Sequence, residues 1–165
     1  MTSKEKFCHN INKYEASMYN LAYSIMRNQD DASEVLSEAI CRAYSGYGLL
    51  KNEAAFKEWI LQIVHNTAVE MIRKNSRLIY VHELADTPES KPAVDAETKI
   101  TLKDAVLSLN EPYRTVLTLF YYENLSVKAI SNILGNSDAA VRQQLNRGRK
   151  MLKSSLGEEF IHGYV

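Results

Sequence analysis

Along most of this chain apolar residues return at three- and four-residue steps, the spacing that puts one stripe on an α-helix, and the rhythm fails only where helices should stop. Ile11, Tyr14, Met18, Leu21, Ala22 and Ile25 form a first stripe that ends near Arg27 and Asn28, and Asp30 is placed to cap a second helix. Val35, Leu36, Ala39, Ile40, Ala43 and Tyr44 supply the apolar face of that helix. Its opposite face carries Asp31, Glu34, Ser37, Glu38 and Arg42, a polar ridge that is either solvated surface or a docking surface for a partner. Ser45-Gly46-Tyr47-Gly48 breaks the pattern, and Asn52 opens a third helix. Phe56, Trp59, Ile60, Ile63, Val64, Thr67, Ala68, Met71 and Ile72 line its apolar side, and it runs into the basic cluster Arg73-Lys74-Asn75-Ser76-Arg77. Trp59 is expected to anchor the core rather than to stack on a base.

From Val81 to Lys99 the periodicity fails, and Pro88 and Pro92 sit among Glu83, Asp86, Glu89, Asp95 and Glu97. The segment lacks residues for a core of its own, and each proline removes a donor and restricts its predecessor, so residues 81–99 read as a flexible acidic linker. Two small helical domains follow from this, residues 1–80 and 100–165, in an all-α chain. In the second, Ile100, Leu102, Val106, Leu107 and Leu109 restart a helix. Asn110 can cap the next one, with Pro112 near its first turn and Tyr113, Val116, Leu117, Phe120 and Tyr121 packing it.

The second domain ends in a helix-turn-helix pattern. Ser126 can cap a helix with Val127, Ile130, Ile133 and Leu134 on one stripe, and Gly135 can take the positive φ that ends it. Ser137 is placed to cap a further helix, and Asp138 sits near the positive end of its dipole. There Val141, Leu145, Gly148 and Leu152 share a face, which leaves Asp138, Ala139, Arg142, Gln143, Asn146, Arg149 and Lys150 pointing mostly away from the core.

Charge sharpens this picture locally. The whole chain has 20 basic and 20 acidic residues and no net charge. From Ser126 to Leu156, however, six basic residues face one acidic residue, a net +5, whereas Val81 to Leu125 carries a net −4. A basic helix behind an acidic segment points to phosphate contact confined to one element rather than to general coating of nucleic acid; the competing reading is a solvated basic face. The 45% hydrophobic content excludes wholesale disorder. The N-terminus is polar with no signal-peptide core behind it, and no apolar run could span a bilayer, so a cytoplasmic protein without membrane insertion is expected. Cys8 and Cys41 form no metal-binding spacing and read as reduced thiols. No cofactor or metal is expected, and no nucleophile-base pair, His cluster or phosphate-binding glycine loop suggests an enzyme.

Two sets of residues together carry a family resemblance over nearly the whole chain. Leu109-Asn110-Glu111-Pro112-Tyr113-Arg114, then Tyr121-Tyr122-Glu123-Asn124-Leu125-Ser126 and Ile133-Leu134-Gly135, are similar to one half of the extracytoplasmic-function, or group IV, sigma factors of bacterial RNA polymerase, in the sigma-70 family. Met26-Arg27-Asn28 with Asp31-Ala32, Glu38-Ala39, Arg42-Ala43-Tyr44 and Phe56-x-x-Trp59 with Asn66-Thr67-Ala68 resembles the other half. Asn110 departs from the usual proline, Ser37 from glutamine, Asn136 from an apolar turn residue and Ala139-Ala140 from glycine-threonine, departures that bear on the DNA sequence read rather than on the fold.

The resemblance implies a non-enzymatic mechanism. The first domain would dock core RNA polymerase through Asp31, Glu34, Ser37, Glu38 and Arg42 and help open the -10 element. Tyr47, in the loop from Ser45 to Glu53, would stack on an opened base, Asn66 would read it, and Arg73, Lys74 and Arg77 would hold the strand by its phosphates. For Asn66 the other reading is a cap at a helix break before Thr67. The second domain would read the double-stranded -35 element in the major groove. Ser137 and Asp138 stand at the start of the recognition helix, Arg142 can donate twice to guanine, Gln143 and Asn146 can pair with adenine edges, and Arg147, Arg149 and Lys150 can hold phosphates. The resemblance also implies an anti-sigma factor as partner, often membrane-bound in the family. A conventional operator-binding regulator would use the same helix-turn-helix without polymerase, but it leaves the ridge and the helix from Trp59 to Arg77 without a role.

Overall fold

The computed structural model describes residues 1–81 and 101–156, with side chains up to Ser76 in the first segment. The linker expected at 81–99 falls almost wholly outside them, as does the part of the second domain beyond Leu156. Among the described residues the regular structure is entirely helical: α1 Ser3–Met26, α2 Gln29–Gly46, α3 Phe56–Val81, α4 Leu102–Ser108, α5 Tyr113–Leu117, α6 Val127–Leu134 and α7 Asp138–Leu156. No helix among them is long and apolar enough to cross a membrane.

The first three helices pack against one another as their stripes require, burying Met18, Leu21, Val35, Ala39, Phe56, Ile60 and Val64. α1 starts earlier than its stripe, because Thr2 and Glu5 form a capping box. The second helix is capped by Asn28 rather than Asp30: the Asn28 carboxamide accepts from the Asp31 N–H at 3.0 Å, which leaves Asp30 and Asp31 in the first turn where the dipole favours them. Asn52 accepts from the Ala54 N–H and caps the 3-10 turn Glu53–Ala55 that feeds α3. At the end of the stripes, Tyr44 and Ile72 are exposed rather than buried.

In the second half the expected cap at Asn110 is not made by its side chain. Pro112 occupies the position before α5, and Asn110 contributes its backbone carbonyl, which accepts from the Arg114 N–H at 3.2 Å. A regular helix was expected through Phe120 and Tyr121, but α5 instead continues into a π turn, Thr118–Tyr122. Such an inserted residue shifts the register of the side chains that follow it. Ser126 and Ser137 cap α6 and α7 as expected, each accepting from the N–H three residues on at 3.1 Å. Gly135 ends α6 at φ 71°. Gly148 serves closeness rather than conformation: a Cβ there would sit 2.9 Å from Leu117 Cδ1, so the glycine lets α7 lie against α5.

The two halves also pack on each other, α6 against α3 and α1 against α5, and their buried side chains make one continuous cluster. Three polar residues of the second half, Arg114, Glu123 and Asn132, fasten this join. Arg114, with a side chain 7% exposed, reaches the last turn of α1, where its guanidinium donates to the Ser24 carbonyl and to the Ile25 carbonyl at 3.5 Å, and it also pairs with Glu111 at 3.2 Å. Glu123 accepts from Asn20 Nδ2 at 3.1 Å and pairs with Lys57 at 3.6 Å. Asn132 donates to Glu58 at 2.7 Å.

Candidate polymerase and promoter interface

On α2 the packing of Ala32, Val35, Ala39 and Ala43 inward turns Glu34, Ser37, Glu38 and Arg42 outward, with Asp31 half-buried at the start of the same helix. Part of this ridge is already engaged. Arg42 bonds Glu38 at 2.9 Å and Glu70 of α3 at 2.7 Å, and Glu70 pairs with Lys74 at 3.4 Å. The guanidinium beside it holds the Glu70 carboxyl below its ordinary value, and Arg42 is raised in turn. The ridge is therefore a chain of alternating charge across α2 and α3, with Glu34 exposed beside it.

The residues assigned to strand opening divide into three groups. Tyr47 is half-buried, its ring edge-on to Phe7 and Phe56 at 5.1 and 6.0 Å and near Trp59 at 6.5 Å, and its hydroxyl is buried without a partner. It belongs to an aromatic cluster, as does Trp59, which packs on Phe56 at 5.6 Å. Asn66 is exposed in the unbroken middle of α3, so the capping reading for it has no helix break to cap. Next to it, burial pushes the His65 imidazole below its ordinary value, opposed by the Asn66 side chain. Arg73 and Lys74 are exposed further along α3, and Arg77 lies on the same helix with its side chain outside the described residues.

On α7, Val141, Leu145, Gly148 and Leu152 are buried, and Arg142, Gln143, Asn146, Arg147 and Lys150 are exposed on the far side. The side chains of Arg142, Gln143, Arg147 and Lys150 make no hydrogen bond or ion pair among the described residues, so none of those residues competes for their donors. Ser137 and Asp138 open the helix, where the Ser137 hydroxyl takes the Ala140 N–H and the other first-turn N–H groups have no intrahelical partner. Arg149 is placed differently: it is half-buried against Phe120 and Tyr121, with its Nε donating to the Tyr121 hydroxyl at 2.8 Å. The sequence pattern put Arg149 on the outer face because it sits at the border of the buried stripe, and the π turn that brings the two rings to it has no signature in the apolar spacing. The same pattern carried no sign of the contacts between the halves.

An all-α chain whose second half carries two helices joined by a tight turn, with a basic helix face that has no partner among the described residues, has the form of a small helical transcription factor. Comparison with known proteins narrows this. The sequence model for Sigma-70 region 2 matches residues 11–78, and that for Sigma-70, region 4 matches residues 99–152. The chain is 28% identical over 158 residues to the RNA polymerase sigma factor SigV of Bacillus subtilis, covering 96% of this chain and 95% of that protein. It is also 28% identical over 169 residues to the ECF RNA polymerase sigma factor SigW of the same organism, covering 93% and 90%. Its fold matches the sigma factor RpoE from Bartonella quintana, solved in complex with the anti-sigma factor NepR, with a TM-score of 0.76 at 17% identity over 92% of this chain and 97% of that one. CnrH, solved in complex with the cytosolic domain of CnrY, gives 0.63 at 18% identity over 91% and 86%. The chain belongs to the sigma-70 family of RNA polymerase sigma factors, in its extracytoplasmic-function group.

Proposed function

We propose that the chain acts in the cytoplasm as an alternative sigma factor whose two halves divide the work of promoter recognition between them. The first half docks core RNA polymerase through the ridge of Asp31, Glu34, Ser37, Glu38 and Arg42 and helps open the -10 element with Asn66, Arg73, Lys74 and Arg77. The second half reads the -35 element in the major groove with the outer face of α7. The observation that supports this division best is the unpartnered row Arg142, Gln143, Arg147 and Lys150, presented by a helix whose other side is locked into the core. Arg142 offers the fork geometry that fits guanine, Gln143 can both donate and accept at an adenine edge, and Arg147 and Lys150 are free to replace water and counterions on phosphates.

Tyr47 enters this reading with a restriction. Its ring is committed to Phe7, Phe56 and Trp59, so stacking on a base requires the loop to turn it out of that cluster. Asn66 carries base reading at less cost, being exposed on a rigid helix with a side chain that can donate and accept. Permanganate footprinting on paired -10 variants checks this: Asn66→Ala is expected to change which sequences open, and an unchanged ranking would remove the residue from the reading set.

Run-off transcription with core polymerase on a promoter library tests the function as a whole. Transcripts from a subset of promoters, dependent on this chain, are the expected result. DNA binding that persists without core enzyme and yields no transcript would favour an operator-binding regulator instead. Control by an anti-sigma factor fits one solved structure of the same fold, RpoE, captured with the anti-sigma factor NepR. Co-purification from the native host that returns polymerase and no second protein would count against it.

A further inference from the structure

Arg149 touches four things at once, and together they constrain a neighbouring residue that faces DNA. Its guanidinium carbon lies 5.2 Å from the centre of the Phe120 ring and 5.8 Å from that of Tyr121, and those two rings meet edge to face at 5.1 Å. Its Nε donates to the Tyr121 hydroxyl at 2.8 Å. Its Nη1 donates to Asn146 Oδ1 at 3.4 Å, one helical turn back on α7. Two aromatic faces and a directed hydrogen bond fix the plane of the guanidinium, so that it behaves as part of the scaffold rather than as a mobile cation.

A guanidinium carries donors only, so the atom that Asn146 turns towards it is the carboxamide oxygen. The NH2 group is then the part of Asn146 left to meet a ligand. An asparagine that recognises adenine uses both ends of its carboxamide, accepting from N6–H and donating to N7. Here the guanidinium already occupies one lone pair of the accepting end, and an adenine amino group brought up to the other would place its own positive hydrogens beside that cation. Guanine, with acceptors at N7 and O6, and thymine, with O4, present no such conflict.

We propose that Phe120, Tyr121 and Arg149 form a positioning relay that holds Asn146 as a hydrogen-bond donor, so that this residue selects guanine or thymine, and not adenine, at one position of the -35 element. Arg149 is thereby a positioning residue first and a phosphate ligand at most secondarily. The inference rests on the reading of α7 as the -35 recognition helix, and it replaces the adenine pairing that the residue type alone suggests for Asn146.

The test is binding of the holoenzyme, core polymerase with the full chain, to promoters carrying each of the four bases at every -35 position. Tyr121→Phe removes the hydroxyl and keeps the ring; Arg149→Lys keeps the charge and loses the fork. Thermal melting of each variant reports separately on folding. In the unsubstituted protein one position should favour guanine or thymine over adenine by about tenfold. Asn146→Ala should erase that preference, while Tyr121→Phe and Arg149→Lys should shrink it severalfold at the same position and leave the others alone. Arg149→Ala added to Asn146→Ala should then change nothing more there, since the relay acts through the amide. A uniform loss across all sequences in Tyr121→Phe and Arg149→Lys, or an adenine preference that vanishes with Asn146→Ala, would overturn the relay. Absence of any base preference in the unsubstituted holoenzyme would instead overturn the recognition-helix reading beneath it.

Discussion

The join between the two halves and the outer face of α7 both use arginine and asparagine, put to opposite uses. At the join Arg114 is buried and spends its donors on the Ser24, Ile25 and Leu109 carbonyls and on Glu111. On α7 Arg142 is exposed, with none of its donors engaged by the described residues. α1 has no basic residue in its last turn, only Arg27 at its C-cap, and Arg114 brings from the other half a second cation and the donors that the last carbonyls of the helix lack. The same group at Arg142 gains nothing for the fold and keeps its capacity for a ligand. What distinguishes a structural cation from a recognition cation here is the number of carbonyls and carboxylates within reach, which the residue type does not reveal.

The sharpest way to break this comparison is to remove Arg114. Its loss strands buried carbonyls at the end of α1 and takes from Glu111 its cation, leaving only the Thr115 donors, and Arg114→Ala should destabilise the chain by about 3 kcal/mol. For a chain of this length that lowers Tm by roughly 6 to 12 °C, read by thermal unfolding. The ranking of -35 sequences should not move. A variant as stable as the parent would mean that the join contributes little to the fold.

Arg142→Ala should behave in the opposite way. Stability should stay within about 0.5 kcal/mol, as for an exposed residue without partners, while discrimination at one -35 base falls by about 1 to 3 kcal/mol in competition binding. Lys150→Ala sharpens the contrast within α7 itself: it should weaken all promoters alike and reduce the salt dependence of binding by about one unit of slope. If both substitutions weakened binding uniformly, Arg142 would be a phosphate contact and the division of roles along the helix would fall.

The ridge on α2 lies between these extremes, because Arg42 is exposed yet paired with Glu38 and Glu70. Exposed pairs of this kind contribute about 0 to 1 kcal/mol, so reversing charge at Glu34 and Glu38 should cost little stability. Affinity for core enzyme in a titration should drop severalfold if the ridge docks polymerase, since an interface charge acts chiefly through its complement on the partner. Unchanged affinity would make the alternating charges a feature of the surface alone.

How far the sequence foretold these features follows from the range of the forces involved. Apolar spacing gave the helix faces, because burial of a stripe is a local consequence of period; the buried set Val141, Leu145, Gly148 and Leu152 is the clearest case. Caps were legible to within a residue or two, and competing candidates explain the slip from Asp30 to Asn28, both being good caps and only two positions apart. Contacts across the join, such as Glu123 with Asn20 and Lys57, connect residues far apart in the chain, and no periodicity encodes them. The π turn at Thr118–Tyr122 adds one residue to a helical register without a glycine or proline to announce it, and so the apolar spacing alone places Arg149 on the solvent face.

The smallest expected effect concerns His65, which sits on α3 beside Asn66 and so tests whether a buried polar group can lie next to the recognition set without serving it. Its Nδ1 is buried without a hydrogen-bond partner among the described residues, and burial pushes its imidazole below the ordinary value near 6.5. A base whose folded value is depressed binds its proton less readily in the native state than in the unfolded chain. Stability from this group is therefore complete above the unfolded value and is lost as pH falls through it towards the folded one. The Asn66 side chain works against the shift, which limits the effect. Denaturant unfolding between pH 7.5 and 5 should show a decline in stability that His65→Gln flattens, with the -10 ranking at neutral pH unaltered. Equal slopes for the two proteins would place the titration elsewhere, and a changed -10 ranking in His65→Gln would mean that the imidazole orients Asn66 and belongs to the reading set after all.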